Sequence, residues 1–230
     1  MRILVGPQHT EPRQARHELP MGREQLSRQL DAGLTALGLE LPGAARERLL
    51  DYQALLERWN KAYNLTAIRD PAQQVARHLL DSLSIAPYIS GDSLLDIGSG
   101  AGLPGIPLAL AAPERAVCLL DTNGKKARFL REAVRSLPLP NVQVKQQRVE
   151  QAEGQYQCIT ARAFASLADM LAWGGHLLAP GGTWLAMKGR QPDAELTALP
   201  DTFAVRDIHT LRVPDVDGER HLVVLERRAA

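Results

Sequence analysis

The chain has 230 residues, 45% hydrophobic and 23% charged, with 27 basic and 26 acidic side chains and a net charge of +1. This excludes a disordered chain, a collagen and a disulfide scaffold, and it is enough for one large domain with its own core. The longest apolar run, Ile106 to Ala112, is too short to cross a bilayer, and the arginines and histidines near the amino terminus flank no apolar signal core. Cys118 and Cys158 sit in apolar, strand-like runs and read as buried thiols of a reducing cytoplasm. No metal-ligand spacing occurs.

Residues 1–22 are rich in Pro, Arg, Gln and His without periodicity, which predicts a flexible tail. A helical segment over 23–90 follows. Leu26, Leu30, Leu34 and Leu37 mark a first helix, and Leu49, Tyr52, Leu55, Leu56, Trp59 and Tyr63 a second, with Pro42-Gly43 between them. Pro71 opens a third helix through Val75, Leu79 and Leu83.

From 91 to 230 the pattern becomes α/β. Strands are expected at Ser93–Ile97, Ala116–Leu120, Val142–Gln146, Cys158–Ala161, Thr183–Met187, Phe203–Ile208 and His221–Glu226. Helix-length segments, such as Lys125–Leu137 and Leu167–Leu177, separate the first five. This alternation predicts a doubly wound, mostly parallel seven-stranded sheet. The last two strands have no convincing helix between them, which predicts an antiparallel hairpin on the sheet edge. The helical segment and the sheet domain are expected to pack as one unit.

The richest site is the run Asp96-Ile97-Gly98-Ser99-Gly100-Ala101-Gly102-Leu103-Pro104-Gly105, a strand end, a glycine turn and a helix start. Gly100, Gly102 and Gly105 fit the dinucleotide pattern G-x-G-x-x-G; Asp96, Gly98, Gly100 and Gly102 fit a loop for S-adenosylmethionine. Asp96 favours the second. A carboxylate there pairs with the ammonium group of S-adenosylmethionine and repels a pyrophosphate, and Pro104 removes an amide that a phosphate would use. Asp121, at the end of the second strand, suits ribose hydroxyls or caps the next helix. Arg148-Val149-Glu150 after the third strand offers an adenine-edge contact, with Glu150 as a plain surface acid the other reading. No Asn/Asp-Pro-Pro-aromatic motif and no Pro-Cys pair follow the fourth strand. The methyl acceptor should therefore need neither amine orientation by that motif nor covalent activation.

Several separate blocks resemble one family. They are Trp59 to Thr66, Arg77 to Leu83, the loop from Gly102 to Pro107, Arg162 to Ala165, Met187-Lys188-Gly189 and Gly218 to Val224. Together they resemble the RsmG (GidB) family of bacterial small-subunit ribosomal RNA methyltransferases, over residues 24–228. The resemblance implies a Rossmann-like fold and an enzyme that methylates guanine N7 in 16S ribosomal RNA, with S-adenosylmethionine as cofactor and S-adenosylhomocysteine as product. It places cofactor contacts at Gly98, Leu103, Val149, Glu150 and Arg162; Asp96, Gly100, Gly102 and Asp121 join them from the loop and the strand ends.

Guanine N7 has a free in-plane lone pair, so catalysis needs orientation rather than a base. Arg162 and Lys188 are the candidates for that role. N7 must stay free, so guanine is expected to be read by an acid or by carbonyls at N1 and N2, with Asp81 a candidate. Candidate RNA contacts are Asn60, Asn64, Arg77, His78, Lys125, Arg128, Arg131 and Lys188. Residues 123–148 carry seven basic side chains against one acid, and Lys125, Arg128, Arg131 and Arg135 fall on one helix face. Asn60 and Asn64 alternatively terminate their helix. The expected partner is small-subunit ribosomal RNA or the ribosomal particle, with no membrane; a monomer in the cytoplasm is the default. An NAD-dependent oxidoreductase, a non-enzymatic assembly factor and a small-molecule methyltransferase remain the competing readings.

Overall fold

The computed structural model describes residues 22–162 and 165–228. The expected tail lies outside them except for Gly22, as do Ala163 and Phe164 of one resemblance block. The amino-terminal part holds α1 (Arg23–Ala36) and α2 (Gly43–Tyr63), then α3 (Pro71–Gln74), a π-helical stretch Val75–Leu80 and α4 (Asp81–Leu83), which run on without a break. Asp70 caps α3 by accepting the Ala72 amide, and Pro71 occupies the first helical turn, where its missing N–H costs nothing.

The sheet domain follows as β1 (Ser93–Ile97), α5 (Gly105–Ala111), β2 (Ala116–Leu120), α6 (Gly124–Ser136), β3 (Val142–Lys145), β4 (Tyr156–Arg162), α7 (Leu167–Gly174), β5 (Leu178–Lys188), α8 (Asp193–Leu196), β6 (Phe203–Thr210) and β7 (His221–Arg227). The spatial order is β3-β2-β1-β4-β5-β7-β6. The first five strands pair in parallel, and β7 inserts antiparallel between β5 and β6. All seven expected strands are present, and the sheet is a mostly parallel Rossmann-like one. The short α8 between β5 and β6 has no periodic signal in four residues, so periodicity does not reveal it.

Alternation along the strands decides what covers each face. Leu94, Val117, Leu119, Cys158, Leu185, Leu222 and Val224 point to one face, and Leu95, Ile97, Cys118, Leu120, Ile159, Trp184, Val223 and Leu225 to the other. The first face joins Leu26, Leu30 and Leu34 of α1, Leu49 and Leu56 of α2, Leu79 and Leu83, Leu108 of α5, and Phe129 and Leu130 of α6 in one continuous core. Met170 and Leu171 of α7 close the second face. The amino-terminal helices thus share their core with the sheet. Asp96 faces the side they cover, which puts them directly behind the glycine loop.

Leu30 is fully buried in this shared core. Leu30→Ala should lower stability by about 2–5 kcal/mol. Chemical denaturation should show one shifted transition reported alike by α1 and sheet probes; two separate transitions would mean that the extension folds on its own.

Candidate active site

Three strand ends and the glycine loop form a cavity of about 330 Å³ at the carboxyl edge of the sheet. This is where a doubly wound sheet binds its ligand. Its walls include Gly98, Asp121, Val149 and Arg162 from the expected cofactor set. Ile97, Leu120, Thr122, Asn123, Lys126 and Gln147 complete them. Lys126 and Gln147 carry no motif of their own; Lys126 reads only as one more basic residue of α6, and the fold turns it inward.

The other expected cofactor residues build the loop from behind. Ser99 Oγ donates to the Asp96 carbonyl and accepts the Leu120 amide, which ties the loop to both β1 and β2. Asp121 splits its two oxygens: Oδ2 accepts the Gly100 amide at 2.8 Å and Oδ1 the Asn123 amide at 2.8 Å. It therefore braces the loop and the start of α6 together, while Asn123 supplies the actual helix cap. Gly102 has φ of +89°, and a side chain there would strike Ile106. Leu103 is buried, and Glu150 is exposed without lining the cavity.

Asp96 is wholly buried. Its Oδ2 accepts the Gly105 amide at 3.0 Å, at the start of α5. Gly105 is required at this point, because a Cβ would lie 2.7 Å from Asp96 Oδ2 and 2.2 Å from Leu119. Asp96 Oδ1 is buried with no partner among the described residues. Burial pushes this carboxyl up to about 7. That open acceptor lies behind the glycine loop and outside the cavity walls, whereas Asp121 and Arg162 in the walls fit ribose hydroxyls and the carboxylate of an amino-acid moiety. The donor set therefore suits S-adenosylmethionine.

The loop has a further support from the extension. Tyr52, in α2 and wholly buried, donates its hydroxyl to the Ala101 carbonyl at 2.6 Å. Burial raises its phenol well above the ordinary range, so it remains a neutral donor. Its ring meets Phe129 of α6 at 6.5 Å. Sequence periodicity marks Tyr52 only as a core residue, since the loop it touches is 49 positions away.

A second cavity, of about 430 Å³, opens beside the first. Arg162 lines both. Through Nη1 it donates to Asp81 Oδ2 and to the Arg77 carbonyl, each at 3.1 Å. Asp81 is 4% exposed, and its other oxygen accepts from Arg220 Nε at 3.1 Å. One carboxylate thus ties the extension to the end of β4 and to the segment before β7. Each oxygen is engaged by a guanidinium group, and Asp81 lines the cavity. Arg220 and His221 also line this cavity, although only the family resemblance had drawn attention to them.

The remaining RNA candidates divide by position. Arg77, His78 and Lys188 line the second cavity. Lys188 Nζ is held by Glu195 at 2.8 Å and by the Ala165 carbonyl at 2.9 Å, so its charge is already matched. His78 bonds Thr66 Oγ1 at 3.0 Å, and burial, with the Arg162 charge adding to it, pushes its imidazole down to about 4. Asn60 is buried and accepts the Thr66 amide, and Asn64 is the left-handed cap of α2 at φ 49°. Both fill the helix-ending role, and the burial of Asn60 corrects its placement among the RNA contacts. Lys125, Arg128 and Arg131 are exposed along α6. Among the described residues no cluster of His, Cys, Asp and Glu is arranged to hold a metal.

A family model for rRNA small subunit methyltransferase G matches residues 45–223. The chain belongs to that family. It is 52% identical over 204 residues to the Ribosomal RNA small subunit methyltransferase G of Xanthomonas euvesicatoria pv. vesicatoria, covering 88% of this chain and 95% of that one. Against the protein of the same name from Pseudomonas syringae pv. syringae it is 49% identical over 207 residues, covering 89% and 97%. Among solved structures, TrmN from Thermus thermophilus aligns with a TM-score of 0.55 at 23% identity, over 75% of this chain and 53% of that one. The B. subtilis tRNA methyltransferase TrmK aligns at 0.53 and 15%, over 64% and 65%. These distant likenesses show the fold, that of Rossmann-like methyltransferases.

Two consequences of this family member's site are measurable. Tyr52→Phe leaves the Ala101 carbonyl buried without its donor, which should cost about 1–3 kcal/mol of stability. Titration calorimetry should show S-adenosylhomocysteine bound several-fold more weakly, and an unchanged affinity would remove Tyr52 from the site. The second concerns pH. His78 resists protonation when folded, whereas an unfolded histidine takes its proton near 6.5. Its contribution is fully present above that pH and is lost as pH falls toward about 4. Denaturation midpoints at pH 7.5 and 5 should differ less in His78→Asn than in the parent protein.

Proposed function

We propose that this protein transfers a methyl group from S-adenosylmethionine to N7 of a guanine in small-subunit ribosomal RNA. The observation that carries the reading is Arg162, the wall common to both cavities. One side chain thus borders both the cavity read here as the cofactor site and the cavity read as the acceptor site. Family membership supplies the class of RNA.

When bound in the first cavity, S-adenosylmethionine supplies an electrophilic methyl group on its sulfonium. The chain's own residues hold the reactants. Gly98 allows close approach, Asp121 keeps lone pairs free for ribose hydroxyls, Val149 gives an apolar surface and Arg162 orients a carboxylate. Asp96 holds the start of α5 behind the loop through the Gly105 amide. Gly100, Gly102 and Leu103 shape the loop, and Glu150 stands at the rim.

The target base leaves its stack and enters the second cavity. N7 carries no proton at neutral pH, so no side chain has to remove one. His78 stays neutral, and Lys188 is spent on Glu195; neither is used as an acid. Guanine N1 and N2 donate to a remaining lone pair of Asp81 or to main-chain carbonyls, which leaves N7 free. Lys125, Arg128 and Arg131 on the exposed face of α6 contact phosphates of the surrounding RNA. The two free cysteines are both buried, which suits a reducing cytoplasm. No helix among the described residues is long and apolar enough to cross a membrane. A ribosomal particle or an assembly intermediate is as suitable a substrate as naked RNA.

Radiolabelled S-adenosylmethionine, offered with undermethylated small subunits, naked ribosomal RNA and bulk tRNA, tests the reading. The label should appear as 7-methylguanosine in ribosomal RNA. Arg162→Gln should weaken S-adenosylhomocysteine binding and lower the rate by at least tenfold. Cofactor binding without transfer to any of these RNAs would instead favour an assembly factor, and transfer to tRNA would overturn the substrate.

A further inference from the structure

The second cavity is more cationic than orientation of a neutral base requires. Arg77, Arg162, Lys188 and Arg220 line it, against the single lining carboxylate of Asp81. Glu195 neutralises Lys188, which leaves an excess of two positive charges. Arg162 and Arg220 share Asp81. Arg77 has no ion-pair partner among the described residues, and its Nε is buried without a hydrogen bond. Holding a partly buried guanidinium in that state costs free energy that a bound anion would return.

The backbone is arranged for this exposure. Arg77, His78 and Asp81 all line the cavity, and the first two lie in the π-helical stretch Val75–Leu80. The wider turn carries side chains to positions an α-helix would not give them, and such stretches recur at functional sites. Ile68, Met187 and Leu211 add apolar wall for the face of a base. A cavity with an apolar wall and an unmatched arginine fits one nucleotide, base and phosphate together.

We propose that Arg77, assisted by Arg220, forms a phosphate subsite that holds the phosphodiester of the flipped target nucleotide. This rests on the second cavity being the acceptor site. The subsite makes RNA entry into the cavity electrostatic, whereas α6 binds phosphates outside it. Arg77 is here a binding residue for the substrate backbone and takes no part in moving the methyl group.

The test compares the parent protein, Arg77→Gln and Arg77→Lys, each loaded with S-adenosylhomocysteine. RNA affinity for a small-subunit ribosomal RNA fragment is measured across a salt series. Arg77→Gln should weaken binding several-fold and flatten the slope of log K against log salt by about 0.7–0.9, the loss of one phosphate contact. Arg77→Lys should keep most of the slope. KM for the RNA should rise in Arg77→Gln with kcat within about threefold, and S-adenosylhomocysteine affinity should stay within twofold of the parent. Guanosine 5′-monophosphate should bind the parent more tightly than guanosine or inorganic phosphate does, and Arg77→Gln should erase that margin. An unchanged salt slope, or guanosine or inorganic phosphate matching the nucleotide, overturns the subsite. A parent protein that methylates ribosomal RNA while Arg77→Gln behaves identically refutes the subsite alone; a parent that methylates none refutes the function beneath it.

Discussion

The carboxylate of Asp81 holds the working parts of this molecule in register. It is 4% exposed and bonds two arginines from distant segments, Arg162 at 81 positions and Arg220 at 139 positions away. Burying a carboxylate is costly unless its oxygens are matched, and here each oxygen has its own guanidinium. Removing any partner leaves an uncompensated charge in a low-dielectric place. The geometry of Arg162 is therefore enforced by the cost of its alternatives. Because Arg162 lines both cavities, the same carboxylate sets the relation between the two.

The amino-terminal helices take part in that relation. They cover the face of the sheet to which Asp96 points, and from there Tyr52 reaches the backbone of the glycine loop. Asp81 follows directly on the π-helical stretch and reaches Arg162. The extension thus supports the glycine loop with α2 and supplies residues between Thr66 and Asp81 to the second cavity. A reaction that depends on holding two reactants in line gains from such a scaffold, since small misplacements are expensive.

Charge is distributed to the same end. His78 is kept neutral by burial and by Arg162, and Lys188 is neutralised by Glu195. The cationic character that remains sits on Arg77, Arg162 and Arg220.

Much of this was legible in the chain itself. All seven strands, the three amino-terminal helices and the glycine loop follow from periodicity and from glycine and proline placement, because these are local consequences of side-chain spacing and backbone freedom. The loop's division of labour was not legible. Asp96, Gly100 and Gly102 carry the motif, yet they brace the loop from behind, while Lys126 and Gln147 line the cavity with no motif at all. Asn60 reads as a polar residue on a helix and proves buried, because its partner, Thr66, lies beyond the helix end. The ion pairs of Asp81 and the sharing of Arg162 by two cavities are decided only by tertiary structure. They join residues separated by 81 to 139 positions, and no local pattern records which distant charges will meet once the sheet and its helices have closed over a common core.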